Sequence, residues 1–587
     1  MRPDRLHHAP RHRRAAPRRA REAGHRAAQP RQLRHQPLED ARKGERQGAF
    51  RRLAGRRRPE GLGDDVDGTV AEMQPAAVGQ AADLRPVHGA AVRGACPNGR
   101  RPLAAAVKLR ETTVIRRIAL FALLLLLPAV AVHGEDVAGV RLLDRFGLRE
   151  DAASWLLLDL ASGEERIAHR PESPRIPAST AKLATALAAL DLLGPDTRLA
   201  TELLATGPVE EGILRGDLVL RGGGDPLLDI ADLLDLALAL RDLGVTGIDG
   251  RFLLDDGLLP RFPRILASEP ESAPYNAGVG ALTVDFARVR LVPSPQPASV
   301  PPLYEAALAW TDDPVALPET ARLSRDDRGR DAWSIPRDSR ARALPVRDPG
   351  LHAARLFRQL AAGTGITLPE PERGRTPAGA EAVARVESAP LRRILRGMLF
   401  YSNNQVAETL GMLASLRLAP DPPATLEESA ARILDHLRDR LPAVDWSDAR
   451  LVNHSGLGAD ARLTARQLVA LLREGAARYR LPAMMPASGW AGTLRRRLEE
   501  RDTALRIWAK TGTIDYASAI AGYLLPEDGR MQVFAILLDD PTARAIYDRR
   551  PEKTTGELAV AESWNARARA FQDALLDRWL EARPVSP

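Results

Sequence analysis

From Ala181 to Leu193 nearly every position is Ala or Leu, with Leu183, Leu187 and Leu190 at helical spacing and Gly194-Pro195 closing the run. A helix that is apolar all round belongs in a core, not at a surface. A second helical period, Leu391, Leu395 and Met398, runs into the polar break Tyr401-Ser402-Asn403-Asn404 and resumes with Val406 and Leu410. Leu505–Ala509 alternates loosely, like a strand. Ala519–Leu525, the turn Glu527-Asp528-Gly529 and Met531–Leu538 follow it, which predicts an antiparallel meander. Phe571, Leu575, Leu576 and Trp579 mark a C-terminal helix. Between about 201 and 377, short apolar runs alternate with the Gly/Asp turns Gly222–Gly224, Asp249-Gly250 and Asp255-Asp256-Gly257. That stretch reads as β-rich, as one domain or a pair of subdomains.

The front of the chain has no period of either kind. Residues 1–113 are rich in Arg, Ala, Pro and Gly, with 25 basic and 12 acidic residues. Val114-Ile115-Arg116-Arg117 then opens an apolar run from Ile118 to Val132, and small residues follow. A basic start, an apolar stretch short for a bilayer and a small-residue exit describe a secretory signal peptide over 114–134. Signal peptides occupy true N-termini, so 1–113 reads as a mis-assigned or disordered Arg-rich extension upstream of the real start. A basic nucleic-acid-binding arm fits badly in front of an export signal.

This division changes the meaning of the charge. The whole chain carries a formal +8, yet residues 135–587 hold 57 basic and 64 acidic side chains. The exported part is mildly acidic, which removes the electrostatic argument for a nucleic-acid partner. Its expected location is periplasmic or secreted, with no integral span after signal removal. The only cysteine, Cys96, lies in the extension. His169, His352, His436 and His454 are the histidines of the exported part, and none has metal-ligand spacing. No metal site and no cofactor are expected.

Of the 57 basic residues past 134, only Lys182, Lys510 and Lys553 are lysine. Arginine keeps its proton in proteins, whereas a buried lysine can become a neutral amine and serve as a base. Two of the three sit in short motifs. Ser179-Thr180-Ala181-Lys182 places a hydroxyl and an amine three apart, on one helical face, so that the amine can take the serine proton. Ser402-Asn403-Asn404 lies in the polar break and offers a hydroxyl to relay a proton and an amide to hold substrate; Tyr401-x-Asn403 is an alternative register. Lys510-Thr511-Gly512-Thr513 ends the first strand of the meander, where an ammonium and a hydroxyl can hold a carboxylate and Gly512 admits another backbone. Each motif alone has an ordinary explanation as a helix cap, a turn or a strand end. Their order and their element types, helix, loop and strand, make the set informative.

Ser-x-x-Lys, Ser-x-Asn and Lys-Thr-Gly in this order are the set of class A β-lactamases and penicillin-binding proteins. The 223 residues between Ser179 and Ser402 exceed what a β-lactamase places there. From about 140 onward the chain resembles the D-alanyl-D-alanine carboxypeptidase/endopeptidase family of the penicillin-binding protein 4 type. Further resembling stretches are Gly222-Gly223-Gly224-Asp225-Pro226, Tyr275-Asn276-Ala277, Ala281-Leu282-Thr283, Ser455-Gly456-Leu457, Leu463–Leu468 and Gly492-Thr493-Leu494-Arg495. Asn453-His454 departs from the Asp-Gly expected before Ser455, which puts the shape of that loop in question.

The resemblance implies an α+β fold. A β-lactamase/transpeptidase-like catalytic domain, an antiparallel sheet flanked by helices, would combine 140–200 with 378–587, and 201–377 would be the β-rich insertion. It also implies acyl transfer on peptidoglycan stem peptides and covalent capture of β-lactam antibiotics. Ser179 would be the nucleophile, with Lys182 as its base and the N–H groups of Ser179 and Thr513 as the oxyanion hole. Ser402, backed by either lysine, would pass a proton to the leaving amine. Asn404 would hold the substrate amide, and Lys510 with Thr511 its terminal carboxylate. Asp225 resembles a position that contacts the diamino-acid side of the stem peptide, although a plain Gly-Asp-Pro turn is an equal reading. A β-lactamase or esterase on the same fold is the alternative enzyme.

Overall fold

The meander forms, and the N-terminal strands complete it. Ile507–Ile514, Ala517–Leu524, Gln532–Asp539, Ala153–Asp159 and Glu165–His169 make one five-stranded sheet in that order, with every pair antiparallel. The computed structural model describes residues 136–581, apart from 293–297, 300–306, 312–321, 326–330, 337–342, 500–502 and 551–552. The extension 1–113 and the signal segment 114–134 therefore lie outside the described residues, as do residues 293–297 of the Pro-rich run Val292-Pro293-Ser294-Pro295-Gln296-Pro297, which reads from the sequence as a variable loop. All described residues belong to one unit by their internal contacts.

Both faces of the sheet are covered, which explains why its central strands read as near-continuous apolar runs. Side chains alternate along each strand. Leu156, Val533, Ala535 and Leu537 share one core with the buried Lys182–Leu193 helix and with the helices Leu391–Tyr401, Asn404–Leu418, Leu426–Arg440 and Ala465–Tyr479. Trp155, Leu157, Phe534, Ile536 and Leu538 face the other way, against Phe571, Leu575, Leu576 and Trp579 of the helix Thr555–Glu581. The apolar-all-round helix is thus surrounded by other helices and the sheet.

A second five-stranded sheet has the order Glu372–Arg373, Phe252–Asp255, Leu218–Gly222, Ala200–Ala205, Glu381–Glu387, with parallel and antiparallel pairs mixed. The helices Ile230–Asp242 and Pro349–Gly363 pack on one face of it. Two three-stranded sheets lie between 288 and 345. The insertion therefore carries two helices that its turn-rich pattern hid. Its outgoing strand, Glu381–Glu387, pairs with its incoming strand, Ala200–Ala205, so the return to the first sheet comes after 387, later than the expected 378. The ladder decides this, because a strand with exposed polar residues on one face has too weak a period to mark its own end. Among the described residues, no helix is long and apolar enough to cross a membrane.

One buried ion pair fixes the approach to the first motif. Arg175 donates from Nη1 to Asp539 Oδ1 at 2.8 Å, from Nε to Ser154 Oγ at 2.9 Å and from Nη2 to the Ala153 carbonyl at 3.0 Å. The Ile176 amide donates to the other Asp539 oxygen at 3.0 Å. The segment entering Ser179 is therefore bolted to two adjacent strands of the sheet by groups whose donors and acceptors are matched.

Candidate active site

Ser179 sits in the single 3-10 turn Ala178–Ala181, which runs directly into the Lys182–Leu193 helix. The residue before it, Ala178, is held at φ 45°, a left-handed conformation that costs a residue with a Cβ about 1–2 kcal/mol. Two neighbours make the turn this tight. Gly456, at φ 74°, lies so close that a Cβ on it would overlap the Ala178 carbonyl oxygen. Gly512 lies on the other side, where a Cβ would come within 2.7 Å of the Pro177 oxygen and 2.8 Å of the Ser179 nitrogen. Only a glycine lets the strand Ile507–Ile514 press its backbone against the nucleophile turn.

Lys182 is fully buried. Its Nζ lies 2.9 Å from Ser179 Oγ, 2.7 Å from Asn404 Oδ1 and 2.8 Å from the Ser455 carbonyl oxygen. The last two partners can only accept. A neutral amine would spend both of its hydrogens on them and turn its lone pair to the serine hydroxyl. Burial lowers the Lys182 pKa to about 7, with the Glu408 carboxylate pulling the other way. A serine and a buried amine at this distance, with this proton affinity, have what activation of a hydroxyl needs.

The polar break resolves into a left-handed residue and a helix cap. Ser402 ends the helix Leu391–Tyr401 at φ 55° and ψ 36°, and Asn403 caps the next helix, its Oδ1 accepting from the Val406 amide at 3.2 Å. Asn404 is the first residue inside that helix and is buried; its Nδ2 donates to the Tyr275 carbonyl at 3.1 Å, which turns Oδ1 towards Lys182. The Ser402-x-Asn404 register therefore meets the lysines, whereas Asn403 is occupied as a cap and Tyr401 is 47% exposed.

Lys510 is also fully buried, and its Nζ reaches Ser402 Oγ at 2.9 Å and the Thr511 carbonyl. Burial pushes its pKa well below the ordinary lysine value, and the charge of Lys182 pushes it further. Two amines in one cleft thus each hold one serine. Thr511 is half-buried and Thr513 exposed, on the strand that forms the edge of the sheet. Ser179, Lys182, Ser402, Asn404 and Lys510 come together around this edge.

Asp225 does not join them. It is buried, its Oδ1 accepts from the Leu227 amide at 2.9 Å, and its charged neighbours are Asp232 and Asp229. Burial raises its pKa to about 7. The observed contacts are those of a Gly-Asp-Pro turn. Among the described residues, no three His, Cys, Asp or Glu side chains gather in a way that could hold a metal ion.

Three groups that bear on the lysines carried no motif letter of their own. Two are backbone carbonyls, of Ser455 and Tyr275, although both residues lie in stretches singled out from the sequence. The third is Glu408, four residues past Asn404 and fully buried. An acidic residue set among Val406, Ala407, Thr409 and Leu410 was its visible signal. The departure at Asn453-His454 is accommodated. Asn453 Oδ1 accepts from the Gly456 amide at 2.8 Å and the Leu457 amide at 3.2 Å, as an aspartate would. His454, whose pKa burial lowers to about 3, stays neutral, packs against Gly411 and places Nε2 2.8 Å from Ser429 Oγ.

Known proteins share this fold. The structure resembles that of penicillin binding protein 4 from Haemophilus influenzae, with a TM-score of 0.62, 20% identity, and coverage of 76% of this chain and 100% of that one. In sequence, the D-alanyl-D-alanine carboxypeptidase of Actinomadura sp. strain R39 is 29% identical over 453 residues, 69% of this chain and 82% of that protein. Carboxypeptidase DacB of Mycolicibacterium smegmatis is 28% identical over 410 residues, 67% of this chain and 78% of that protein. A family model, D-Ala-D-Ala carboxypeptidase 3 (S13), matches residues 141–554, from the first helix of the described structure to the start of the last. A match that takes in both sheets and all three motifs leaves one assignment: the chain belongs to the D-Ala-D-Ala carboxypeptidase 3 (S13) family of peptidases.

Proposed function

We propose that the protein is an exported, periplasmic or secreted, serine peptidase that cleaves at D-alanine in peptidoglycan stem peptides through an acyl-enzyme on Ser179. The observation that carries this reading is Lys182 Nζ at 2.9 Å from Ser179 Oγ, with its other two partners both acceptors. Lys182 takes the hydroxyl proton as Oγ bonds to the carbonyl carbon of the penultimate residue. The N–H groups of Ser179 and Thr513 receive the developing oxyanion, each such donor being worth about 3–4 kcal/mol. As the C–N bond breaks, Ser402 passes a proton to the departing amine and is resupplied through Lys182 or Lys510. Asn404 holds the substrate amide, and Lys510 with Thr511 binds the terminal carboxylate. Water then takes the acyl group and restores Ser179. In this reading 201–387 forms an inserted region beside the catalytic layer.

A β-lactam presents a strained amide carbonyl to the same serine, and the Haemophilus influenzae fold relative has been solved complexed with a novel β-lactam. Fluorescent penicillin should remain covalently attached to the intact protein; rapid turnover of the label would instead indicate a β-lactamase. Incubation with purified muropeptides, read by mass spectrometry, separates loss of a terminal D-alanine from splitting of a cross-linked pair. Neither product forming would overturn the proposal.

The pH dependence has a definite sign. Only neutral Lys182 can accept the serine proton, and its pKa is about 7. Acylation by penicillin should rise about tenfold per pH unit below 7 and level off above it. Stopped-flow labelling between pH 5 and pH 9 measures this, and a rate falling across that range would exclude the amine as base.

A further inference from the structure

Lys182 is set by more than its motif. The helix Asn404–Leu418 sends two side chains towards it, Asn404 and, one turn on, Glu408. Glu408 is 0% exposed, yet it contacts neither Ser179 nor any surface. Its Oε2 accepts from the His454 amide at 3.0 Å and its Oε1 from the Ser455 amide at 2.9 Å. The carbonyl of Ser455 in turn accepts from Lys182 Nζ at 2.8 Å. One carboxylate therefore holds the N–H groups of two successive residues, and the second of them, Ser455, presents through its own carbonyl the acceptor that aims the amine. Acceptance at both oxygens is the pattern of an ionised carboxylate.

From this chain of contacts we propose that Glu408 is a positioning residue for the acylation base: it fixes the backbone at His454 and Ser455, so that the Ser455 carbonyl orients Lys182, and it supplies the negative charge that keeps this buried amine from losing its proton too readily. The proposal rests on the reading of Lys182 as the base of Ser179.

Other charged groups facing these two are accounted for. Lys510, on the strand Ile507–Ile514, feels the charge of Lys182, which lowers its pKa beyond the effect of burial. His454, on the peptide that Glu408 holds, is neutral. At the far end of the Lys182–Leu193 helix, about two and a half turns away, Asp191 is engaged by His436 and Tyr479, with Arg440 beside it. Glu408 is thus the carboxylate that the geometry assigns to Lys182. Burial pushes the Glu408 carboxyl up, while the Ser455 hydroxyl, the two amides and the Lys182 charge pull it back.

Glu408→Gln removes the charge and leaves one of the two amides facing an NH2 group. The Lys182 pKa should fall, since an anion that favoured the ammonium is gone. The acid limb of penicillin acylation should then move at least one pH unit below the wild-type limb, and the plateau rate should drop at least tenfold as the Ser455 carbonyl shifts. Lysine-selective 13C labelling offers an independent readout, because the whole chain has five lysines. The Lys182 Cε signal should titrate at lower pH in the variant. A purely structural residue would lower the plateau or the melting temperature and leave the limb in place, and that result would overturn the proposal. Should Glu408→Gln fail to fold, Glu408→Asp keeps the charge but cannot span both amides. It should retain the wild-type limb with a plateau reduced at least tenfold, and an unreduced plateau would refute the positioning role. Labelling that survives in Glu408→Gln with an unmoved limb leaves Ser179 as nucleophile intact. Labelling that survives in Ser179→Ala removes the reading beneath it.

Discussion

Ser179→Ala is expected to abolish covalent penicillin labelling and to reduce D-alanine release by about 10⁶-fold, the loss seen when the nucleophile of a serine hydrolase is removed. The substitution deletes one hydroxyl whose close partner is Lys182 Nζ at 2.9 Å, and it leaves the Ala178–Ala181 turn its backbone and both flanking glycines. Folding should be preserved, which circular dichroism and the melting temperature would show. Residual release near background is compatible with binding and oxyanion donors alone. Any covalent adduct located to another residue by peptide mapping would displace Ser179 from the mechanism.

Gly512→Ala should produce the second largest loss, and for a different reason. The new methyl would meet the Pro177 oxygen at 2.7 Å, the Ser179 nitrogen at 2.8 Å and the Thr180 nitrogen at 3.0 Å, all of them backbone atoms. Either the edge strand or the nucleophile turn must move by a few tenths of an ångström. Overpacking of this kind costs about 1–3 kcal/mol of stability. The larger effect falls on acylation, because the displaced N–H is one of the two proposed oxyanion donors. A drop of about 10²–10³ in the acylation rate constant is expected. Stopped-flow labelling measures it alongside the melting temperature. A variant acylated at the wild-type rate would show that the close approach of strand and turn has no part in stabilising the oxyanion.

What the sequence made legible was carried by side chains with few alternatives. Ser179, Lys182 and Lys510 stood out because a lysine in an arginine-rich chain is conspicuous, and the apolar 181–193 run announced a buried helix without any reference to its partners. The meander and the C-terminal helix followed from period alone. The remainder of the site was illegible for physical reasons. Carbonyl oxygens such as those of Ser455 and Tyr275 are present at every residue, so no letter marks the two that hold Lys182 and Asn404 in place. Glu408 could have been noticed as an acid in an apolar stretch, but its partners are 46 and 47 residues away and only packing brings them together. Asp225 shows the converse: its letter suits either a substrate contact or a turn, and only packing shows that one of its oxygens accepts from the Leu227 amide. The sheet to which Glu381–Glu387 belongs was not legible, because hydrogen bonds to Ala200–Ala205 and not its own pattern define its place.

The placement of Ala153–Asp159 between Gln532–Asp539 and Glu165–His169 has a consequence for how this molecule is made. That strand appears early in synthesis, yet its principal neighbour arrives only when almost the entire chain exists. Until then Trp155 and Leu157 on one side, and Leu156 and Leu158 on the other, lack the strand that flanks them. Such long-range pairing is slow and leaves sticky surface uncovered on the way. A nascent chain halted just before 532 would carry the Lys182–Leu193 helix and the four helices that pack on it, yet lack the strand that joins the two halves of the sheet, so the layer under that helix closes only at the end.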